Sequence, residues 1–166
     1  MKILACATLL AAISTAALAK EPDPKIVQKE LGDVISAVFK ADMEPIEKHT
    51  HERVFAIVGD KKTFLAEIEK AFKGVQEAGV VLIRAEVGEK LDYFKGKENE
   101  FFFVSTNIVM KVGDKEPQMV PGYQLGVKKT TETVWKYIDC SSLTVEMARE
   151  WFPDFPKDKK LPVPGK

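Results

Sequence analysis

Residues 101–112 read FFFVSTNIVMKV, and this apolar, β-branched run decides the fold. Because side chains alternate between two sides along a strand, the run predicts one long strand with two different faces. The first face carries Phe102, Val104, Thr106, Ile108, Met110 and Val112, and the second carries Phe101, Phe103, Ser105, Asn107, Val109 and Lys111. The next five residues, GDKEP, are typical of a hairpin connection and predict an antiparallel partner strand.

Further strands are expected on both sides of this hairpin. The returning strand places Met119, Tyr123, Leu125 and Val127 together, and Pro121-Gly122 predicts a bulge or bend within it. Alternating residues 80–87 predict a strand before the hairpin, and residues 133–139 predict the last one. Residues 88–99 are interpreted as a charged link.

Helical periodicity is confined to the chain before these strands and to a short stretch after them. Asp23 and Pro24 are suited to begin a helix that runs to about Asp42. Asp60 is suited to cap a second helix, which Gly79 closes. Residues 44–51 are predicted to be a charged connector, and residues 53–58, RVFAIV, a buried strand. A short helix is predicted between Thr144 and Pro153.

This order of elements predicts an α+β fold in which a strongly bent antiparallel sheet packs on the N-terminal helices. An antiparallel sheet must bury one face, and the two long helices are the elements that can cover it. A bent sheet wrapped around helices leaves a cone with an open end. The short C-terminal helix lies outside this main arrangement.

The N-terminal residues predict where the protein works. Lys2 precedes an apolar run over residues 3–18, and Ala17-Leu18-Ala19 matches a signal-peptidase site. We therefore expect residues 1–19 to be a cleaved signal peptide and the mature protein to be periplasmic or secreted. The run is short for a membrane span, so none is expected in the mature chain. Residues 20–153 are predicted to form a single domain, followed by an extended Pro/Lys-rich tail over residues 154–166.

The charge balance argues against a nucleic-acid-binding protein, and the cysteine positions argue against a lipoprotein. Without Lys2 the chain has 24 basic and 25 acidic residues, which argues against nucleic acid as a partner, because phosphate binding requires a basic patch. Cys6 lies in the predicted signal and lacks a preceding apolar run, so it does not indicate a lipoprotein. Cys140 is then the one thiol of the mature chain, and an intramolecular disulfide is excluded.

Several short segments resemble the nuclear transport factor 2-like superfamily, which includes SnoaL-like proteins and ketosteroid isomerase. They are the segments 39–42, 50–54, 59–61 and 133–139, the last reading TVWKYID and preceding an LTVE helix start. The resemblance covers residues 25–153, and the segments are similar to those of exported bacterial members of the superfamily. It implies the cone-shaped fold. It implies no particular activity, since the superfamily includes enzymes, carriers and interaction modules, and none of its catalytic residues can be matched here.

Four residues near the last strands are candidates for a ligand-binding pocket: Tyr123, Trp135, Tyr137 and Asp139. If they face into the cone, they line an apolar cavity with a few polar ends, as small-ligand sites do. A carboxylate placed there loses solvation, which would favour a role as general base. The competing interpretation is that the aromatic side chains fill the core and that Asp139 caps a turn.

The two histidines form a His49-Thr50-His51 motif between Glu47 and Glu52. On a strand they would share a face and could bind a metal, but the spacing matches no established motif. We expect instead a structural His51 at the start of a strand, which is also a candidate pocket residue, and a solvated His49. Either histidine could activate Cys140 as a nucleophile, although a buried, inert thiol is the favoured interpretation.

Three functions remain open from the sequence. The leading hypothesis is a protein that binds an apolar small molecule or a protein partner without catalysis and without a cofactor. The second is a hydrolase or isomerase that uses Asp139 or His51 as a base. The third is a dimerisation module, because the face with Phe101, Phe103 and Val109 must be covered either by the C-terminal segment or by a second subunit; a homodimer is expected.

Overall fold

The computed structural model describes residues 21–163, and this part of the chain has an α+β fold, as predicted. The five helices are α1 (Pro24–Lys40), α2 (Met43–His49), α3 (Glu52–Val58), α4 (Lys61–Glu77) and α5 (Val145–Trp151). The five strands are β1 (Val80–Val87), β2 (Asp92–Lys95), β3 (Asn99–Val112), β4 (Gln118–Lys129) and β5 (Lys136–Asp139). None of the helices within residues 21–163 is long and apolar enough to span a bilayer. The predicted signal peptide lies outside the described residues.

Both long helices begin at the predicted caps. The Asp23 carboxylate accepts a hydrogen bond from the Lys25 N–H at 2.9 Å, and Pro24 occupies the first turn. The Asp60 carboxylate accepts from the Thr63 N–H at 2.8 Å in the same way. Each bond satisfies a backbone donor that has no partner inside its helix, so two side chains set where α1 and α4 start.

Two predictions for the chain between these helices are wrong. The expected connector contains α2, and the expected buried strand is α3. Asp42 and His51 cap the two helices through their side chains. A buried strand would hide side chains on both faces, but only Phe55 is buried in α3 and Ile57 is 60% exposed. The run RVFAIV is too short for its periodicity to separate a strand from two helical turns.

The sheet is antiparallel throughout and has the order β1-β3-β4-β5, with β2 paired to β3 beyond the end of β1. The β3–β4 register is unbroken from the Asn99–Lys129 pair to the Met110–Gln118 pair. Of the bulge or bend predicted at Pro121-Gly122, the bulge is therefore wrong. The register shift occurs in β1 instead, between Leu82 and Arg84. Pro121 is tolerated because β5 pairs only with residues 124–127, which leaves that part of β4 at an edge.

Strand β1 has the predicted bounds, whereas two later predictions differ from the structure. Residues 88–99 are more than a link, because they contain β2, whose Phe94 is buried against β3. The last strand begins at Lys136, three residues later than expected. The short helix α5 is confirmed, with Thr144 as its cap.

The two faces of the sheet are covered by different parts of the chain. On the helix-side face, a buried cluster joins α1 to the sheet; its members are Val27, Leu31, Phe102, Val104, Trp135 and Tyr137. On the outer face, a larger cluster joins the sheet to α5 and the residues after it; its members are Phe94, Phe101, Phe103, Leu125, Val127, Ile138, Leu143, Ala148, Phe152 and Phe155. The C-terminal segment thus covers Phe101 and Phe103, which are 0% and 3% exposed.

Gly126 is required where the helix-side cluster is tightest. The Phe102 ring lies directly over its backbone, and a Cβ atom at position 126 would overlap that ring. The same ring contacts Trp135 at a centroid distance of 4.7 Å. The missing side chain of one strand residue therefore makes room for the aromatic ring of its cross-strand partner.

Candidate functional site

A cavity of about 240 Å³ lies between the helices and the helix-side face of the sheet. Most of its wall is apolar and comes from α1, α2 and α4: Leu31, Val34, Ile35, Val38, Phe39, Ile46, Phe64, Ile68 and Phe72, together with Val54 of α3 and Ile108 of β3. These helix residues recur at the three- and four-residue spacing of an apolar helix face. Both long helices therefore turn their apolar sides toward the sheet without filling the space.

The cavity has one polar end. Five residues form it: His49, Thr50, Gln124, Tyr137 and Asp139. Asp139 is exposed, so it marks a place where the cavity meets solvent. Its Oδ2 accepts a hydrogen bond from Gln124 Nε2 at 2.7 Å, and its Oδ1 accepts one from the Ser141 N–H at 2.7 Å. Asp139 therefore lines the cavity and also caps the turn after β5. The pocket and turn-cap interpretations both describe this residue.

Tyr137 is the most constrained residue of this polar end. It is 4% exposed, and its hydroxyl group donates a hydrogen bond to Glu30 Oε2 at 2.7 Å. Burial, followed by the bond to Glu30 and the charge of that carboxylate, raises the pKa of Tyr137 far above its ordinary value. The phenol is thus a fixed donor that ties α1 to β5.

His49 is buried, contrary to the prediction that it is solvated. It is 6% exposed, and its Nδ1 lies 3.3 Å from the carbonyl oxygen of Trp135. Since a carbonyl only accepts, Nδ1 carries the proton and Nε2 is an acceptor in the neutral ring. The imidazole also packs beside the Tyr137 ring, at a centroid distance of 5.9 Å. His49 therefore ties α2 to the residue that precedes β5, beside the cavity wall.

His51 lies outside the cavity lining and has a structural role. It stands at the start of α3 rather than of a strand, and its Nδ1 accepts a hydrogen bond from the Arg53 N–H at 3.2 Å. Its ring meets the Phe152 ring edge-on at 5.0 Å. Burial lowers the pKa of His51 to about 4. The side chain is therefore neutral at pH 7 and is a weak base.

The structure does not bring the four aromatic and acidic candidates together. Tyr123 lies on the outer face, because it pairs with Ser105 in register with the Phe103–Leu125 pair. Trp135 belongs to the helix-side cluster but packs on Phe102 instead of lining the cavity. Only Tyr137 and Asp139 line it. Tyr137 and Asp139 share a face because they are two residues apart on β5. The β3–β4 register puts Tyr123 on the opposite face of the sheet.

Cys140 is half-buried at the end of β5. Burial, together with the negative charge of Asp139, raises the pKa of its thiol to about 12. Its Sγ lies 4.0 Å from the Ile138 carbonyl oxygen. Because the thiolate is the nucleophilic form, this environment opposes the nucleophilic role that the sequence left open.

Within residues 21–163, no group of three or more histidine, cysteine, aspartate or glutamate side chains is placed to hold a metal ion. His49 and His51 lie on opposite sides of Thr50, one against Tyr137 and the other against Phe152. The pair therefore does not share the face that a common ligand role would need.

The sequence missed a buried carboxylate on the helix-side face. Glu100 is 1% exposed and stands opposite Lys128, whose Nζ lies 3.1 Å from Glu100 Oε2. That contact is an ion pair without hydrogen-bond geometry, and neither carboxylate oxygen accepts a hydrogen bond within residues 21–163. Burial and the charge of Glu100 raise the pKa of the neighbouring Tyr93 to about 12. This cluster is separate from the cavity lining.

Asp154 was also missed, and it anchors the C-terminal segment. Its carboxylate accepts hydrogen bonds from the Glu98 N–H at 2.7 Å, the Asn99 N–H at 2.8 Å and Asn99 Nδ2 at 2.8 Å. Burial alone would raise the pKa of Asp154, but these donors outweigh it and lower that pKa. Gly96 allows the approach, since a Cβ there would overlap Asp154.

Comparison with protein-family models, with curated proteins and with solved structures gave no match for this chain.

Proposed function

We propose that this protein binds an apolar small molecule in the cavity between its helices and the helix-side face of the sheet, without catalysing a reaction on it. The observation that carries the proposal is the cavity itself, about 240 Å³ in volume and walled by aliphatic and phenylalanine side chains. Protein interiors are normally packed to crystal density. This space differs from such an interior because the wall contributed by α4 is only half-buried, and it is open to solvent as small-ligand pockets are.

The size of the cavity sets the size of its ligand. An engineered apolar cavity of about 150 Å³ accepts benzene or xenon, and pockets for drug-sized ligands begin near 300 Å³. A volume of about 240 Å³ lies between these limits. It suits a single ring or a short alkyl chain with one polar group.

The candidate bases support binding rather than chemistry. His51 accepts a helix-capping hydrogen bond and has a pKa near 4, so it is poorly suited to take a proton at neutral pH. Both oxygens of Asp139 accept structural hydrogen bonds, from Gln124 and Ser141. The hydrolase or isomerase alternative would need His51 to exchange its structural partner for a substrate, or a desolvated Asp139, whereas Asp139 is exposed to solvent.

The proposal includes export and the nuclear transport factor 2-like assignment. Export is supported by the pattern of residues 1–19, and it predicts a mature N-terminus at Lys20, which mass spectrometry of the protein from its native cells would measure. The superfamily assignment is supported by the α+β order and by a cavity between helices and sheet, which agree with a cone. A precursor recovered with residues 1–19 still attached would contradict export.

Titration with 1-heptanol, followed by two-dimensional NMR of the backbone amides, tests the binding proposal. We expect saturable shifts confined to cavity residues such as Ile68 and Ile108. Val38→Phe should abolish them, because the added ring occupies the space between α1 and the sheet. Val81→Phe is the matched control, since Val81 is 56% exposed and outside the lining. Shifts that persist in Val38→Phe, or a protein that shows none, would contradict the proposal.

A homodimer is the second candidate, and one observation favours it. The C-terminal segment leaves part of the outer face open, where Val81 and Met119 are 56% and 60% exposed. Exposed apolar side chains grouped on a sheet face are typical of interfaces. Sedimentation equilibrium should then show a dimer that Met119→Lys dissociates, and a wild-type monomer at high protein concentration would dispose of this candidate.

A further inference from the structure

The polar end of the cavity is rich in hydrogen-bond acceptors, and this bears on the chemistry of the ligand; the inference rests on the binding function proposed above. A carboxylate has roughly four acceptor positions. Two hydrogen bonds to Asp139 are accounted for, from Gln124 and Ser141. Positions on a solvent-exposed carboxylate at the cavity opening therefore remain for a ligand donor.

The neighbours of Asp139 add further acceptors. Since Gln124 turns its amide nitrogen toward Asp139, its carbonyl oxygen is left to accept. The Tyr137 hydroxyl group already donates its proton to Glu30. Donors are fewer at this end, namely the Thr50 hydroxyl and the second Gln124 N–H.

Charge points in the same direction. Asp139 is the one carboxylate among the described residues of the lining, and none of those residues is a lysine or an arginine. An anionic head group placed here would meet a like charge with no cation to balance it, and like-charge contacts are costly. A cationic or neutral donor would meet a complementary charge.

We propose that the ligand is a small apolar amine, bound with its ammonium group on Asp139 and its hydrocarbon part among the apolar side chains of α1 and α4. A charge-assisted hydrogen bond of an ammonium group to a carboxylate is stronger than one between neutral groups. The apolar wall contributes affinity to any hydrophobic molecule of the right size. The carboxylate contributes the selection among head groups.

Three probes of equal size in non-hydrogen atoms separate these contributions: 1-heptylamine, 1-heptanol and hexanoate. Calorimetric titration of the wild-type protein at pH 7 and low salt should rank them in that order. We expect the amine to bind about tenfold more tightly than the alcohol, as a partly exposed charge-assisted hydrogen bond would allow. Hexanoate should bind most weakly. Raising the salt concentration should reduce the advantage of the amine.

Asp139→Asn is the variant that tests the carboxylate, since asparagine keeps an oxygen that can accept from the Ser141 N–H. It should remove the advantage of the amine over the alcohol, while 1-heptanol should still bind through the apolar wall, and that retained binding shows that the variant is folded. Asp114→Asn, on the exposed β3–β4 turn, removes the same charge at a distance and should leave the ranking intact.

The outcomes distinguish this inference from the binding function. If 1-heptanol binds but the amine binds no better, or if hexanoate binds best, the amine assignment is wrong and the apolar binding site stands. If Asp139→Asn keeps the preference for the amine, another group selects the head group and the assignment to Asp139 is wrong. If none of the three probes binds to the wild-type protein, the binding function itself fails.

Discussion

The two faces of the sheet are covered by similar apolar side chains but differ in how completely these side chains fill the space. On the outer face, five phenylalanine rings from the sheet and the C-terminal segment contact one another at centroid distances of 5.3 to 6.4 Å. On the helix-side face, aliphatic and aromatic side chains of α1 and α4 surround a space of about 240 Å³. The outer face is filled and the helix-side face is partly hollow.

The difference follows from how each covering element is held. The C-terminal segment is short, and Asp154 ties it to the β2–β3 connection with three hydrogen bonds, so its rings can sink into the sheet. The helices α1 and α4 are rigid cylinders that each span seventeen residues. The distance of a helix axis from what it packs on depends on the side chains at the contact. The side chains that α1 and α4 turn toward the sheet leave part of the gap empty.

The largest expected effect is a large-to-small change in the filled face. Phe101 is 0% exposed and contacts the rings of Phe94, Phe152 and Phe155. Phe101→Ala should lower the free energy of unfolding by about 4 kcal/mol, because the packed rings cannot collapse into the space. Phe72→Ala, beside the cavity, should cost about half as much or less. Urea unfolding measures both, and equal losses would contradict the contrast.

A small-to-large change should reverse the tolerance of the two faces. Val127→Phe inserts a ring into the filled outer cluster, where Val127 is 1% exposed, and should cost about 2–3 kcal/mol in unfolding free energy. Val38→Phe makes the same change beside the cavity and should cost less than about 1 kcal/mol, since the ring enters existing space. Thermal and urea unfolding of the pair check this, and a Val38→Phe variant as unstable as Val127→Phe would mean that the cavity is not hollow.

The residue that joins the two faces should respond to acid. The His51 ring contacts Phe152 on the outer side, and the backbone N–H of His51 donates a hydrogen bond to the Tyr137 carbonyl oxygen. Because burial lowers the pKa of folded His51 to about 4 from an ordinary value of 6.5, the unfolded chain takes up the proton first as pH falls. Neutral His51 therefore contributes to the free energy of unfolding above pH 6.5. About 2 kcal/mol of this contribution is lost as the pH falls toward 4.

His51→Asn isolates this loss, since asparagine can still cap α3 but does not titrate. Urea unfolding at pH 7 and pH 4.5 should show a smaller acid-induced loss in the variant than in the wild type. Equal losses in the two proteins would mean that His51 is not buried as a neutral side chain.

The smallest effect is expected at the anchor of the outer covering. Asp154→Asn keeps the shape of the side chain but removes the charge that three donors share, so it should cost about 1 kcal/mol in unfolding free energy after allowing for partial exposure. Because hydrogen bonds lower the pKa of Asp154, its contribution is present above the ordinary aspartate pKa and is lost as pH falls through the folded value. Urea unfolding at pH 7 measures this, with Asp158→Asn as the nearby control, and a cost no larger than that of the control would contradict the anchor.

How far the sequence predicts this molecule depends on the range of the signal. Caps at Asp23, Asp60 and Thr144 and the alternation of β3 act over a few residues, and they located the long helices, the main hairpin and α5. The six-residue run RVFAIV has too little periodicity to separate a strand from the two turns of α3, which is why the predicted strand is wrong. The role of Asp154 depends on donors more than fifty residues away, and no local pattern reveals it.

The candidate site shows the same limit. The apolar faces of α1 and α4 and the residues Tyr137 and Asp139 could be identified from the sequence. Whether those faces touch or leave a cavity depends on the distance between helix and sheet, which periodicity does not determine. Tyr123 was placed on the wrong face because its partners in the sheet depend on register, and a register is set by pairing across the whole hairpin.

Xenon provides the most direct test of the hollow helix-side face, because it enters dry apolar cavities without needing a hydrogen bond. Diffraction from crystals of the protein held under xenon pressure should show a xenon atom between α1, α4 and Ile108. No xenon should enter the cluster around Phe101. Absence of xenon from the helix-side space, or its presence only on the outer face, would contradict the account.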